Sequence, residues 1–453
     1  MDYLSIFNGQ REFYKSHQTL SISFRKENLK KLKSILVDNE GRLYDAIYKD
    51  FRKSKFDTYV SELSLVYSGI DFFVKKLNAL CRPRKVKANL LNMPGANYIY
   101  KEPYGNTLII GAWNYPYQLT ILPVVTAIAA GNTCIIKPSE LPENTLKLMA
   151  ELINENFPSD FLYVVQGGVF ETTEILKYSY DKIFFTGSPK VGKIVYEAAA
   201  KSLTPVVLEL GGKSPLIVSK SADIDVTVKR LVWGKFLNAG QTCIAPDYLL
   251  VEKTIMPIVL EKLKDRLNDA NYADGAVHYT SIINKRNFDR LIALIDSKKI
   301  VCGGHVNEDN LYISPTVLED ITWSDPIMQE EIFGPVLPIL AYDKFEETLD
   351  RVNRMEKPLS AYLFSNSDKE KELFLTKLSF GGGCINDVIM HVTNHRMPFG
   401  GVGSSGIGNY HGTYGFDAFS HSKPIVKKAL WGETELRYPP YTAKKLNLIK
   451  KMM

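Results

Sequence analysis

Cysteine is scarce in this chain, at five in 453 residues, and none forms a CxxC pair. Residues 81, 134, 243, 302 and 384 are odd in number and widely scattered, which argues against a disulfide framework or a zinc site. A reducing cytoplasm is the expected compartment. No apolar run approaches the ~20 residues of a membrane-spanning helix, and the start, MDYLSIFNGQREFYKS, lacks the basic-then-apolar order of a secretory signal. Nor is there a strong excess of one charge. The 56 basic residues against 50 acidic ones leave a net charge of +6, with the lysines spread rather than massed, which argues against a nucleic-acid partner. The tail TAKKLNLIKKMM is the basic exception; a solvated terminus is the simpler reading and contact with an anionic membrane surface the alternative. Internal repeats, low-complexity tracts and Gly/Ser linkers are also missing.

What is there reads as an α/β protein of two or three domains, with 45% hydrophobic and 23% charged residues. Residues 8 to about 80 repeat apolar side chains at three and four spacing, as in KENLKKLKSILVDNEGRLYDAIYKDF, which predicts helices. From about residue 106 the pattern changes to short β-rich runs, each closed by a breaker and followed by a helical stretch: NTLIIGAWNYP, NTCIIKPSE, FLYVVQGG, DKIFFTGSPK and TPVVLELGG. That alternation predicts a parallel, doubly wound sheet, in which ligands lie outside the carboxyl ends of the strands. Asn114, Lys137, Glu140, Gly187 and Glu209 stand there. A second alternating region, about 211–405, offers SPLIVS, YLLVE, PVLPIL and SAYLFS as strands and predicts a second α/β domain. RPRKVKANLLNMPGANYIYKEP, before the first sheet, has neither a helical period nor a hairpin signal and reads as an arm or excursion; the end of the chain is similar.

Several of these strand ends carry chemistry. After DKIFFT, Gly187 permits a tight turn, Ser188 suits an N-cap and Pro189 the first helical position. Such a helix start suits a phosphate or pyrophosphate, and a plain βα turn explains the string equally well. Gly187, Gly192 and Lys193 also fit a P-loop, but Ile194 replaces its magnesium-binding Ser/Thr, which disfavours a nucleoside triphosphatase. In KPSE, Lys137 and Glu140 suit ribose hydroxyls or phosphate, with a surface ion pair as the alternative. Glu209 lies inside an apolar run before two glycines. A carboxylate there is costly unless paired, or unless its pKa is raised so that it works as a base; a half-exposed strand position is the alternative.

Cys243, in NAGQTCIAPDY, sits in a loop between a helix and a strand rather than at a periodic core position. A nucleophilic thiol needs activation, and no histidine is near in sequence, so backbone dipoles, a cationic cofactor or a carboxylate must supply it. Asn114 carries the kind of amide N–H₂ that stabilises an oxyanion. His391 and His395 stand four apart but lack an HExxH pattern or a third ligand, so no metal is expected. Trp113, Tyr115, Tyr117 and Trp233 cluster near these candidates in sequence, with core packing expected of at least half.

Taken in order, GAWNYPYQL, GNTCIIKPSE, FFTGSPKVGK, LELGGKSP, NAGQTCIAPDY, QEEIFGPVLPI and MPFGGVGSSGIG resemble the aldehyde dehydrogenase family; CIAPDY and RYPP make the chain most similar to the class 3, fatty and aromatic aldehyde branch. The resemblance implies a Rossmann-like NAD(P)-binding domain over 1–208, interrupted at about 84–105 by an oligomerisation arm. It further implies a catalytic α/β domain over 209–408, and a small β oligomerisation arm and tail over 409–453. Cys243 would be the nucleophile, Glu209 the general base, and Asn114 the oxyanion donor together with the Cys243 backbone N–H. Lys137 and Glu140 would hold the adenosine ribose, and Gly187, Ser188, Val191 and Gly192 would run beside the pyrophosphate. Glu331 and Phe333 would place the nicotinamide ribose and ring. Tyr115 and Trp233 are the substrate-pocket candidates.

The implied activity is NAD(P)-dependent oxidation of medium- or long-chain aliphatic or aromatic aldehydes to acids, through a cysteine thiohemiacetal and thioester. NAD is the expected coenzyme, since Glu140 repels a 2′-phosphate, with NADP accepted as well. A homodimer is expected, without metal, nucleic acid or an integral membrane segment. A thiol hydrolase would leave KPSE and the Gly187 turn unexplained. A non-catalytic binding protein would be expected to lose Cys243 or Glu209, and a reductive enzyme acting on acyl phosphates or thioesters has no use for Glu209.

Overall fold

The 3.6-residue period of the first 80 residues folds as helices α1 (Tyr3–Lys15), α2 (Ile22–Asp38), α3 (Glu40–Phe51), the short α4 (Lys55–Thr58) and α5 (Ser64–Leu80). A π-helical turn, Tyr59–Leu63, joins the last two. The computed structural model describes residues 2–452. Its next segment, the supposed excursion, contains β1 (Arg84–Val86) and β2 (Gly95–Pro103), paired antiparallel.

Each β-rich run after residue 105 becomes a strand: β3 (Asn106–Ile110), β4 (Thr133–Lys137), β5 (Leu162–Val164), β6 (Lys182–Thr186) and β7 (Val206–Glu209). They lie parallel in the order β7-β6-β3-β4-β5. The connections are α6 (Pro116–Ala130), α7 (Glu143–Asn154), α8 (Val169–Ile175) and α9 (Pro189–Ala200). The strand order reverses between β3 and β6, and a crevice opens at the carboxyl ends of strands at such a switch. The two segments leaving it carry Asn114 and Gly187. Helix α6 is apolar on all sides, and each of its fifteen residues is buried. Gly131, at φ 98°, ends it in the left-handed conformation. Helix α5 packs directly against it: a Cβ on Gly69 would come within 2.5 Å of Leu122.

The second sheet uses β8 (Pro215–Val218), β9 (Tyr248–Glu252), β10 (Ile300–Cys302), β13 (Thr316–Leu318), β14 (Val336–Tyr342), β15 (Ser360–Phe364) and β16 (Gly382–Ile385), with a small hairpin of β11 (Val306–Asn307) and β12 (Tyr312–Ile313) between β10 and β13. Its order is β10-β13-β14-β9-β8-β15-β16, parallel except for β10. Helix α10 (Ile224–Phe236) links β8 to the segment before β9. Two late strands return to earlier parts of the chain. β17 (Gly406–Ile407) pairs antiparallel with β7, setting Gly406 opposite Glu209, and β18 (Ser420–Lys428) pairs with β2 over nine positions. Among the described residues no helix is long and apolar enough to cross a membrane.

Candidate active site

The loop that carries Cys243 is held in an unusual backbone conformation. Asn238, Ala239 and Gly240 all have positive φ, at 54°, 52° and 70°. Only glycine fits the last of them, because a Cβ there would lie 2.2 Å from the Gly334 carbonyl oxygen. Such strain persists where surrounding bonds over-determine it, and here they do. The Gln241 side chain donates to the Asn238 and Ser281 carbonyls and accepts from the Ile283 N–H, each at 3.0–3.1 Å. The Tyr362 hydroxyl donates to the Ile244 carbonyl at 2.6 Å.

Asn114 belongs to the same network. Its Nδ2 donates to the Gln241 carbonyl at 3.0 Å, and its own carbonyl accepts from Asn238 Nδ2 at 3.0 Å. An amide nitrogen has two N–H groups, so this bond orients Asn114 and leaves it a second donor. Glu209, at the end of β7, is 2% exposed, and neither carboxyl oxygen has a hydrogen-bond partner. Burial pushes its carboxyl well above the usual carboxylate range. The Cys243 thiol is pushed up to about 12 by burial first, then by the carboxyls of Glu331 and Glu209; the N–H groups of Cys243 and Ile244 work in the opposite direction. The structure brings the three candidates together: Asn114 bonds the loop that carries Cys243, and Glu209 acts on its thiol. Carboxyls facing the thiol suit a cationic ring beside it, and a positive charge there would favour the thiolate.

Glu331 lies across the turn after β7. Its carboxyl is pushed up to about 8, by burial and then by Asp247, with the Gly212 N–H, Lys213 and Arg290 working in the opposite direction. A Cβ on Gly211 would meet Glu331 Oε2 at 2.2 Å, so the glycine is what admits the carboxyl. Phe333 sits at φ 51°, with its ring edge-on to Trp113 at 5.3 Å. The loop carrying both is fastened by Lys213, which pairs with Asp247 at 2.5 Å and donates to the Ile327 and Glu330 carbonyls, while Asp247 accepts from the Ile332 N–H. Nothing in the spacing of Lys213 and Asp247 marks this fastening.

At the other strand ends, Lys137 is 1% exposed and donates to the Pro138 carbonyl at 2.7 Å. Burial lowers its pKa, against the pull of Glu140 and Glu171. Ser188 caps α9, accepting from the Val191 N–H at 3.4 Å, and Pro189 takes the first helical position. The Gly187 N–H is spent on the Glu209 carbonyl at 3.0 Å, tying β6 to β7. A Cβ on Gly187 would strike the Phe185 ring, and one on Gly192 would strike Leu210, so both glycines serve close approach. An exposed helix start, a lysine flanked by carboxyls and an acid-lined thiol pocket fit a dinucleotide with a cationic ring.

The aromatic candidates separate. Tyr115 is 8% exposed, and its hydroxyl bonds Thr242 Oγ1 at 2.6 Å beside Cys243, so its polar tip is turned to the loop. Trp233, on α10, is 42% exposed. Tyr117 is a core residue whose hydroxyl donates to the Leu43 carbonyl. Tyr410 was not singled out from the sequence: it is 1% exposed, and both Glu209 and Cys243 act on its hydroxyl. Its only signal is an aromatic just beyond GVGSSGIG. His391 contacts Cys384 and Ser360, whereas His395 bonds Ser68. Among the described residues no group of three or more His, Cys, Asp or Glu is arranged to hold a metal.

Glu209 also bears on stability. Its folded pKa lies above the unfolded value of ~4.3, so its contribution is fully present below that value and is lost as pH rises through the folded one. Glu209→Gln removes this loss. Thermal scans should put the variant roughly 2–4 °C above the parent at pH 9, with the gap closing towards pH 5; parallel curves would contradict a buried carboxyl.

The aldehyde dehydrogenase family model matches residues 2–425. The chain is 44% identical to the 4,4'-diaponeurosporen-aldehyde dehydrogenase of Staphylococcus aureus, covering 97% of this chain and 96% of that protein. It is 45% identical to aldehyde dehydrogenase family 3 member A2 of Rattus norvegicus, covering 97% and 92%. Against the dimeric NADP-preferring aldehyde dehydrogenase of Mus musculus the identity is again 45%, covering 97% and 98%. A solved structure of substrate-bound Staphylococcus aureus AldH superposes with a TM-score of 0.97 at 43% identity, covering 100% of this chain and 99% of that one. The chain therefore belongs to the aldehyde dehydrogenase family, in its class 3 branch, and is an oxidoreductase that uses NAD(P) to oxidise aldehydes to carboxylic acids.

Proposed function

We propose that Cys243 is the nucleophile, Glu209 the water-activating base, and Asn114 with the Cys243 backbone N–H the oxyanion donors, in the oxidation of medium- to long-chain or aromatic aldehydes. The observation that carries this reading is Glu209: a buried carboxyl with two unpartnered oxygens, acting on the same thiol whose loop Asn114 holds. The thiolate sulfur attacks the aldehyde carbon, forming a C–S bond and moving the carbonyl π pair onto oxygen. The two N–H donors receive that oxyanion, and its collapse re-forms C=O and expels the hydride. When bound, NAD(P) supplies the hydride acceptor. The thioester left on Cys243 is cleaved by water, whose proton Glu209 takes; the acid leaves and the thiolate is restored.

Lys137 and Glu140 are assigned to the adenosine ribose, and Gly187, Ser188, Val191 and Gly192 to the pyrophosphate. Glu331 is assigned to the nicotinamide ribose and Phe333 to the ring. Glu140 beside Lys137 favours NAD, with NADP also accepted. On this reading residues 1–208, apart from the arm at about 84–105, bind coenzyme, 209–408 form the catalytic domain, and 409–453 complete an arm that pairs two copies of the chain. The arm sheet leaves Ile425 and Val426 of β18 exposed, and a 45% identical relative is named dimeric. Five free cysteines suit a reducing cytoplasm.

An apolar substrate agrees with the relative named for 4,4'-diaponeurosporen-aldehyde. Trp233 is assigned to the substrate route, and Tyr115 borders it through Thr242. With NAD and a series from acetaldehyde to decanal, plus benzaldehyde, the absorbance of reduced nicotinamide should report kcat/KM rising at least about tenfold with chain length, since each buried CH₂ contributes about 0.8 kcal/mol. A flat or falling series would contradict the substrate class.

A further inference from the structure

Lys53 and Glu62 pair at 2.7 Å with 1% and 0% of their side chains exposed. Neither takes part in the steps assigned to Cys243, Glu209 and Asn114. Desolvating two charges is costly, and an apolar pair of similar volume commonly holds a fold as well. Stability alone is therefore a poor reason for these residues, and their remaining contacts supply a better one.

The π-helical turn Tyr59–Leu63 carries Glu62, and such widened turns recur at functional sites. While Oε1 accepts from Lys53, Oε2 accepts the backbone N–H of Tyr117 at 2.8 Å and of Gln118 at 3.4 Å. These are free N–H groups of the first turn of α6, where the helix dipole favours an anion. Helix α6 begins two residues after Asn114. Lys53 points the other way: its ammonium lies 4.0 Å from the centroid of the Tyr115 ring. The Tyr115 hydroxyl in turn bonds Thr242, the residue before Cys243. One buried pair thereby reaches the two separate segments that carry the oxyanion donors.

We propose that the Lys53–Glu62 pair is a positioning device for the oxyanion site: Glu62 fixes the start of α6 and hence Asn114, while Lys53, through Tyr115 and Thr242, fixes the backbone N–H of Cys243. This rests on the roles given above to Cys243 and Asn114. The pair touches no substrate. It sets the separation of two donors that must meet one oxygen, and a misplacement of about 1 Å at such a site costs on the order of 100-fold in rate.

The test uses the full-length enzyme, with turnover normalised to the Cys243 thiol titrated by iodoacetamide and located by mass spectrometry, so that misfolded protein is not counted. Tyr115→Phe keeps the ring over Lys53 and loses only the hydroxyl. It should slow the pre-steady-state burst of reduced coenzyme and lower kcat about tenfold, with burst amplitude, aldehyde KM, NAD affinity and Tm nearly unchanged. Glu62→Gln should lower kcat per thiol by roughly 100-fold, and the double variant should be no slower than Glu62→Gln, because Lys53 loses its ion-pair partner with Glu62 and the Tyr115–Thr242 branch is then already released. An unchanged burst rate in Tyr115→Phe, or kcat losses that multiply in the double variant, would overturn the positioning role. Cys243→Ala, with turnover taken per mole of folded protein, is assayed alongside: if it turns over, the site reading fails and this proposal with it, whereas an inactive Cys243→Ala beside an unaffected Tyr115→Phe rejects the positioning role alone.

Discussion

Replacing Cys243 by alanine removes aldehyde oxidation, with turnover falling on the order of 10⁴-fold or more and NAD affinity staying within about twofold. The size of the effect follows from the chemistry. An aldehyde carbonyl does not release hydride until a nucleophile has added, so without the thiol there is neither a tetrahedral adduct nor a thioester. The coenzyme contacts proposed here lie on α9, at the KPSE turn and on the Glu331 loop, and none needs the sulfur. Two of the other cysteines are placed elsewhere. Cys134 is wholly buried inside β4, with its sulfur accepting the Thr107 hydroxyl at 3.3 Å. Cys384 lies beside His391 at 3.7 Å, on the outermost strand of the second sheet. The check is absorbance of reduced nicotinamide under saturating substrate, together with NAD titration of the variant.

Glu209→Gln separates the two halves of the reaction. Addition and hydride loss do not use the carboxylate, so each titratable thiol should still deliver one burst of reduced coenzyme. Hydrolysis does use it, and the steady rate should fall by about 10²–10⁴-fold. The pH profile carries a second signature. Because burial holds the Glu209 carboxyl above the usual range, the base is ionised only as pH rises through that raised value. The steady rate of the parent should therefore climb with pH, and that of the variant should lose the climb. A variant with an undiminished steady rate would remove Glu209 from the mechanism. The same substitution is expected to stabilise the fold at high pH, so this residue trades stability for function.

Much of this site was legible because its residues lie where β-rich runs stop. NTLII, TCIIK, KIFFT and VVLE became β3, β4, β6 and β7 with the breakers at their ends; Lys137 and Glu209 are the last residues of their strands, and Gly187 and Asn114 follow theirs. Cys243 stood out by being off the helical period. What stayed hidden depends on pairings far apart in sequence. The 84–105 segment has no hairpin signal because its long partner, β18, lies more than 300 residues away, with Lys428 opposite Gly95. β17 adds to β7 from the far end of the chain, and so places Gly406 against Glu209. The Lys53–Glu62 pair spans a helix break and shows no periodic pattern, so only its burial reveals it. Tyr115 illustrates the remaining ambiguity of aromatic residues: the ring type suggested a pocket, whereas the hydroxyl is engaged with Thr242.

The central claim is that oxidation proceeds through an acyl group on Cys243. It is tested most directly by mixing Glu209→Gln with NAD and decanal, quenching in acid within the burst, and mapping peptides by mass spectrometry. The account predicts a decanoyl adduct on the peptide carrying Cys243, in stoichiometry with the reduced coenzyme formed. Reduced coenzyme without any adduct, or an adduct on Cys134 in place of Cys243, would contradict it.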